Sequence, residues 1–296
     1  MKKGIVMFIL VALSLFIFSS LSYALDWRKL HEDADKISVT RAVTASTINP
    51  NSINNLYILG LKYLDSHQDG EAEMVFGKIL SLDPSVIEAK WGVAEALRRE
   101  YKIEESQKLI DEVLKANPDF APACITLAYI KYTNKQYKET VELAQKVIDQ
   151  GRDKVDLSNY TRAYLLIGGA KGMIAQNGGW IVKVTNGTQV LPNLKKAEKL
   201  QPDSPAVLFG LGSFYFLAPG LAGGNIDKAR EYLEKTVEKD PLFVDAYVRL
   251  AQVYQKIGDA DKFYINISKV KKIDPRNQLF EEFKSGKYDF VCVSIK

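Results

Sequence analysis

The stretch VDAYVRLAQVYQKIGDADKFYINISKVKKIDPRN, residues 244–277, decides the fold. Its apolar and small residues recur at helical spacings, which places them on one face of an α-helix. Near its end, Pro275 cannot continue a helix. The packing positions fall into two helices: Tyr247, Leu250, Ala251 and Tyr254 in the first, and Phe263, Ile267 and Val270 in the second. The stretch therefore predicts a helix hairpin.

The same ending recurs along the chain at a fixed spacing. An Asp or Asn precedes Pro84, Pro118, Pro241 and Pro275, and a Gln precedes Pro202. The first two of these prolines are 34 residues apart, and so are Pro241 and Pro275. A period of this length is the signature of stacked helix hairpins.

Aligned on this period, the chain resembles the tetratricopeptide repeat (TPR) family. Complete repeats in frame start at Ile53, Ile87, Ala121 and Val244. Position eight of each is small, which lets the second helix approach the first closely: Gly60, Ala94, Ala128 and Ala251. Two irregular hairpins lie between them. The resemblance implies an all-α TPR solenoid of about six helix hairpins, wound as a right-handed superhelix over residues 50–276.

The fourth hairpin departs from the period. Pro118 and Pro202 are 84 residues apart, longer than two repeats of 34 residues. We place the first helix of this hairpin at 161–176 and the end of its second helix near residue 200. The insertion between them, 177–193, is too long for a TPR turn and holds a β-prone run at 180–184. It predicts a short extended flap or hairpin.

The fifth hairpin carries five extra residues in the sequence FYFLAPGLAGGNIDKAREYL, residues 214–233. A Gly-rich turn before a helix can bind phosphate, but here no strand precedes it and no Gly-Lys-Ser/Thr follows. We predict an elongated turn at 219–224, with Asn225 as the N-cap of the next helix. Residues 204–275 are similar to the periplasmic T-component proteins associated with tripartite ATP-independent periplasmic (TRAP) transporters.

The N-terminus predicts export. Lys2 and Lys3 precede an apolar run, and small residues follow it at the positions that a signal peptidase reads. Residues 1–24 are predicted to be a signal peptide, so that the mature chain begins at Leu25; an uncleaved anchor is the alternative. No other stretch is long and apolar enough to span a bilayer. Residues 25–49 form an N-terminal extension, and 277–296 a C-terminal helix and tail.

The composition argues against nucleic acid as a partner and against an enzyme. The formal net charge is +4, and removal of two lysines with the signal peptide leaves 38 basic residues (40 − 2) against 36 acidic ones. Such a balance gives no basic surface for nucleic acid. The sequence has no Gly-x-Ser-x-Gly and no His-Glu-x-x-His, so we expect no catalytic residues. No cofactor and no metal are expected.

The cysteines and histidines give little sign of chemistry. Cys124 is expected to be a buried free thiol on a helix, and Cys292 to lie in the tail. His31 lies in the polar N-terminal extension and His67 in a turn, so both are expected to face solvent. Neither has a cysteine or carboxylate pair at metal-ligand spacing.

The resemblance implies that first-helix positions 2, 5, 6, 9, 12 and 13 face the concave side of the superhelix. In repeats one to five these positions are mostly aromatic or aliphatic, and in repeat six they are polar. The candidate groove residues are Tyr57, Leu61, Trp91, Glu95, Arg98, Arg99, Tyr129, Tyr132, Leu165, Met173, Phe209 and Phe216. Such a wall suits an amphipathic ligand, with its apolar part on the rings and an acidic group on an arginine.

Two interpretations of these side chains stay open. They form an apolar binding groove, or they pack against residues 25–49, the flap or the next repeat. The predicted function is an exported, non-enzymatic binding or scaffold protein whose groove takes a peptide or a small amphipathic ligand, as an accessory of a periplasmic transport system. The alternative is a structural adaptor in the assembly of a cell-envelope complex, which uses the convex face and the tail.

Overall fold

The structure, a computed structural model, describes residues 25–286, Val291 and Val293. In these residues it consists of fifteen α-helices and one 3₁₀ turn, and no strand is present. The predicted signal peptide, residues 1–24, and Cys292 lie outside the described residues.

Six helix hairpins follow one another along the chain. They pair α3 (Ile53–Asp65) with α4 (Asp69–Leu82), α5 (Ile87–Arg99) with α6 (Ile103–Ala116), α7 (Ala121–Thr133) with α8 (Tyr137–Asp149), α9 (Leu157–Asn177) with α10 (Trp180–Leu200), α11 (Pro205–Leu217) with α12 (Ile226–Lys239), and α13 (Val244–Ile257) with α14 (Ala260–Ile273). Each hairpin packs on the next. The predicted all-α TPR solenoid of six hairpins is confirmed.

Three shorter helices lie outside the hairpins. Helices α1 (Trp27–Ala34) and α2 (Val39–Ile48) precede the solenoid and pack on its first helix, α3. Helix α15 (Gln278–Lys284) follows it and packs on α13. The Asn277 side chain caps α15 by accepting a hydrogen bond from the Phe280 amide.

Small residues decide how closely the two helices of a hairpin approach. Phe76 on α4 is fully buried between two glycines. A Cβ atom at Gly60 would lie 2.5 Å from Phe76 Cζ, and one at Gly92 would lie 2.4 Å from its Cγ. Both distances are far shorter than carbon–carbon contact, so the ring fits only because neither position carries a side chain.

The prediction of an extended flap in the fourth hairpin is wrong. Only Gly178 and Gly179 separate α9 from α10, and each of these helices has 21 residues, against 13 or 14 in the other hairpins. The insertion therefore lengthens both helices. The β-branched residues at 181–185 disfavour a helix only weakly, and packing of the same helix on α9 overrides that preference: Val190, Leu194 and Ala197 are buried.

The elongated turn of the fifth hairpin is confirmed. A 3₁₀ turn at Gly220–Ala222 joins the two helices, and Gly223 adopts a left-handed backbone with φ of 98°. A Cβ atom at Gly224 would lie 1.9 Å from the Ala218 carbonyl oxygen, so only glycine fits there. The Asn225 side chain accepts a hydrogen bond from the Lys228 amide at 2.9 Å, as predicted for the N-cap.

The superhelix closes one full turn on itself. His67 Nε2 lies 2.8 Å from Asp240 Oδ2, and the Tyr101 hydroxyl donates to Asp274 Oδ2 at 2.7 Å. Each pair joins residues that are 173 positions apart. The turns of repeats one and two thus contact the ends of repeats five and six, and they enclose the concave interior. The expectation that His67 faces solvent is wrong, because this contact leaves its ring only partly exposed.

Candidate functional site

Helix α1 covers the first part of the concave interior. His31 of α1 packs on the rings of Tyr57 and Trp91, with ring centres 5.8 Å and 5.4 Å apart. Tyr57 is fully buried and Trp91 is 2% exposed. Leu61 is buried with them. These three predicted groove residues therefore lie beneath the N-terminal extension, as in the interpretation that has the concave side chains pack against residues 25–49.

The expectation that His31 faces solvent is wrong. Its ring is buried, and Nε2 lies 3.0 Å from the Tyr57 hydroxyl while Nδ1 lies 3.8 Å from Asp156 Oδ1. Burial lowers the pKa of His31, because a charged imidazolium loses its hydration, and the charge of Asp156 opposes this only in part. A sequence pattern for this helix exists: Trp27, Leu30 and Ala34 are spaced as one apolar stripe.

A buried charged network lies at the centre of the interior, where α5 meets α7. Glu95 accepts hydrogen bonds from Arg98 and Arg99, each at 2.8 Å from its Oε1. Its other oxygen accepts from the Thr126 hydroxyl at 2.8 Å. The Trp91 indole nitrogen donates in turn to the Thr126 oxygen at 3.0 Å. A chain of hydrogen bonds therefore holds the carboxylate in one orientation.

This network keeps Glu95 ionised and occupies the two arginines. Burial by itself would raise the pKa of Glu95, but the charges of Arg98 and Arg99 outweigh it and hold that pKa well below its usual range. Arg99 also donates to the Leu64 carbonyl oxygen at 2.6 Å, and the Arg98 guanidinium lies 4.8 Å from the centre of the Tyr129 ring. The two cations predicted to take an acidic group of a ligand are thus already bound to the protein.

An open cavity of about 310 Å³ adjoins this network. Five predicted groove residues line it: Glu95, Arg98, Arg99, Tyr129 and Leu165. The later repeats supply the opposite wall, which includes Ser158, Thr161, Arg162, Ser204, Ala206, Asp240 and Phe243. The cavity forms because closure of the superhelix brings the fifth repeat opposite the second.

Arg162 is a charged residue of the cavity that was not among the predicted groove residues. It occupies position two of the fourth repeat, half-buried, and it lines both this cavity and a smaller one of about 30 Å³ beside His31. Within the described part of the chain, Arg162 has no hydrogen-bond or ion-pair partner. Position two belongs to the concave set, so the repeat alignment itself reaches this residue. A guanidinium in such a place can bind a carboxylate with two hydrogen bonds.

Two residues of the C-terminal tail lie in the part of the interior that the later repeats form. Arg249 donates to the Val291 carbonyl oxygen at 2.9 Å, and Val291 and Val293 are both buried. A Cβ atom at Gly169 would lie 2.3 Å from Val293 Cγ2 and 3.4 Å from the Tyr132 ring. The predicted groove residues of this part are buried in the same apolar cluster: Tyr132, Met173 and Phe209.

Phe216 is the one predicted groove residue that neither lines the cavity nor is buried; it packs against the edge of the main apolar cluster. Its ring is partly exposed, and the Lys256 ammonium lies 5.4 Å from the ring centre.

Cys124 is a buried free thiol, as predicted, and burial raises its pKa to about 11. In the described ranges no cluster of His, Cys, Asp and Glu could hold a metal ion. No helix of residues 25–286 has the length and apolar character needed to cross a membrane.

Comparison with known proteins supports the repeat assignment. Residues 244–277 match the tetratricopeptide repeat family. The matched residues are the same 34-residue stretch from which the helix hairpin was predicted. No curated protein matches the chain in sequence.

Solved TPR structures share the fold. A TPR protein from Parabacteroides merdae is 14% identical, with 88% of this chain and 97% of that chain covered and a TM-score of 0.53. The Cut9–Hcn1 hetero-tetramer of the APC/C gives 12% identity, 83% and 46% coverage and a TM-score of 0.59. The human IFIT1 dimer with m7Gppp-AAAA is 18% identical, with 84% of this chain and 60% of that chain covered and a TM-score of 0.56. The chain thus spans about half to two thirds of the length of the last two. At such identities these likenesses show the fold alone.

Proposed function

We propose that this chain is a non-enzymatic protein-interaction scaffold whose concave interior binds an extended peptide. The observation that carries the proposal is the cavity of about 310 Å³, whose walls come from distant repeats and carry a cation, Arg162, that has no hydrogen-bond or ion-pair partner among the described residues. Cavities of this size lie at the lower end of those that bind ligands. The concave face of a solenoid is also the extended surface that repeat proteins use for binding.

The lining favours a peptide with an acidic group next to an apolar or aromatic side chain. Arg162 supplies the cation, and Tyr129, Leu165 and Phe243 supply apolar surface around it. Ser158 and Ser204 add hydroxyl groups that can bond to a peptide backbone. The fixed charges of Arg98 and Arg99 are balanced by Glu95 and the neighbouring carboxylates, so Arg162 is the charge that an incoming acidic group neutralises.

Selection from a random peptide display library, followed by affinity measurement, tests this proposal. Arg162→Ala should weaken binding of the selected peptides by about 10- to 150-fold, since a hydrogen bond to a charged group contributes about 1.5–3 kcal/mol. The matched control is Arg41→Ala, which removes an exposed arginine from α2. Both variants should keep the helical spectrum. Equal affinity of the selected peptides for the two variants, or selection of no peptide at all, would contradict the proposal.

We further propose that the chain is exported and serves a periplasmic transport system. The N-terminal sequence supports export, and the turn at 219–224 with the helix after it supports the likeness to T-components. N-terminal sequencing of protein from the envelope fraction should give Leu25 as the first residue, whereas Met1 in protein from the cytosol would contradict export. Genes of a TRAP transporter adjacent to the gene for this chain would support the transport role.

A structural adaptor remains the alternative function. In that role the convex helices and the tail would contact partners. The tail residues Val291 and Val293 are buried in the interior, so an adaptor that uses the tail requires the tail to leave it. A partner that binds the convex face would be insensitive to Arg162→Ala, which separates the two functions.

A further inference from the structure

Two residues near the C-terminus, Val291 and Val293, lie in the interior. Val291 and Val293 belong to no helix, and they are 4% and 1% exposed. Both side chains are buried within the main apolar cluster of the repeats. The repeats thus receive the two valines as they would receive side chains of a bound peptide.

The surface that receives these two valines comes from position nine of the last three first helices. The residues there are Gly169, Ser213 and Gln252. Gly169 leaves the room that Val293 fills. Among the described residues, Ser213 Oγ and Gln252 Nε2 are buried without a hydrogen-bond partner. Buried polar groups are rarely left in that state, so this surface has spare capacity for a peptide backbone.

Arg249 provides the polar anchor of the same surface. It is fully buried, and one of its nitrogens donates to the Val291 carbonyl oxygen at 2.9 Å while another donates to Gln252 Oε1 at 2.7 Å. The contact with the tail is to the main chain. It therefore does not depend on the tail's sequence, whereas the pocket at Gly169 selects the shape of a side chain.

We propose that Val291 and Val293 act as the side chains of a resident ligand of repeats four to six, and that the external partner of this surface is a peptide with small β-branched residues two positions apart. The inference rests on the proposed function, because it names the partner class and its regulation at the concave interior. A tail tethered only a few residues after α15 has an effective concentration of about millimolar, so it excludes weak ligands until it is displaced.

A labelled peptide of the last ten residues, with serine in place of cysteine, tests the proposal on the full chain by fluorescence anisotropy. The double variant Val291→Asp/Val293→Asp should release the tail, because the two carboxylates cannot enter an apolar site. The peptide should bind this variant about tenfold or more tightly than it binds the wild-type chain. The matched control is Ser285→Asp, which adds a charge at an exposed position and should behave as wild type.

Two outcomes would overturn the proposal. One is a folded double Asp variant that does not bind the peptide. The other is equal binding of the peptide to wild-type chain and folded variant. If the Asp variant loses its helical spectrum, Val291→Ala/Val293→Ala decides, since it shortens both side chains without adding charge. Intermediate affinity then supports the proposal, and affinity equal to wild type refutes it.

The result is separable from that for the central cavity. Arg162 makes no hydrogen bond or ion pair with Val291 or Val293, the described residues of the tail, so Arg162→Ala in the released variant should leave affinity for the tail peptide unchanged. Failure of the tail peptide to bind would therefore leave the Arg162-dependent peptides in place. Failure of the Arg162 test would likewise leave the tail site in place.

Discussion

The contact of Phe76 with two glycines gives a sharp test of how the hairpins are packed. We consider Gly60→Ala, which adds one methyl group to the inner face of α3. The new Cβ would lie 2.5, 2.7 and 2.8 Å from three atoms of the Phe76 ring. The ring cannot retreat, because Gly92 approaches its other end, where a Cβ atom would lie 2.4 Å from Phe76 Cγ.

The magnitude follows from a comparison with a second glycine. Overpacking of a filled core costs about 1–3 kcal/mol, and alanine gains about 1 kcal/mol over glycine in a helix interior. Gly77 lies on α4 next to Phe76 in sequence, and a Cβ there meets nothing within 4 Å. Gly77→Ala should therefore stabilise the chain by about 1 kcal/mol. The gain in helix propensity is common to both variants. The free energy of unfolding of Gly60→Ala should therefore be about 1–3 kcal/mol lower than that of Gly77→Ala.

Urea unfolding followed by circular dichroism measures both free energies of unfolding. The double variant Gly60→Ala/Phe76→Leu should recover part of the loss, since a smaller side chain makes room for the new methyl group. Equal stability of Gly60→Ala and Gly77→Ala would refute the close helix approach on which the repeat assignment rests.

Three further perturbations follow from the structure. Burial lowers the pKa of His31 from its usual 6.5, so as the pH falls His31 is protonated in the unfolded chain before it is protonated in the folded chain. The free energy of unfolding should therefore fall as pH drops below about 6.5. A His31→Gln variant with an equally steep fall would contradict this. Lys135 and Gly258 both have a left-handed backbone at position fifteen of their repeats, with φ of 62° and 83°. In denaturant titrations, Lys135→Gly should therefore stabilise the chain by about 0.5–1 kcal/mol, and Gly258→Ala should destabilise it by about 1–2 kcal/mol. Shifts of the opposite sign would refute the strain. Leu250→Ala should cost about 2–5 kcal/mol by thermal unfolding, because the side chain is 2% exposed, and a neutral result would place it outside the core.

The repeated hairpins were predictable because each repeats the same local pattern. A proline follows five of the six second helices, and a small residue at position eight admits the facing helix, so the sequence specifies these contacts over one repeat length. The fourth hairpin was not predictable in this way. Its β-prone run at 180–184 has a local preference that is weak compared with the packing of a long helix, and no residue in the run itself reports that packing.

Occupancy of the interior also depends on contacts that are distant in sequence. Helix α1 covers Tyr57 and Trp91, and Val293 of the tail lies beside Tyr132 at Gly169. Both coverings join segments from opposite ends of the chain to the repeats. Arg162 differs, since it occupies concave position two of the fourth repeat and can therefore be reached from the repeat alignment alone. Closure of the superhelix through His67 and Asp240 has no local sequence pattern, because it depends on the summed rotation of the intervening repeats.

Photo-crosslinking of a display-selected peptide, followed by mass spectrometry of the attachment sites, tests the central claim most directly. The claim is that a partner binds inside the superhelix, at the cavity beside Arg162. The predicted result is attachment to the lining residues Tyr129, Leu165 and Phe243, and its loss in Arg162→Ala but not in Arg41→Ala. Attachment to the outer helices α4, α6 or α12, unchanged in Arg162→Ala, would contradict it.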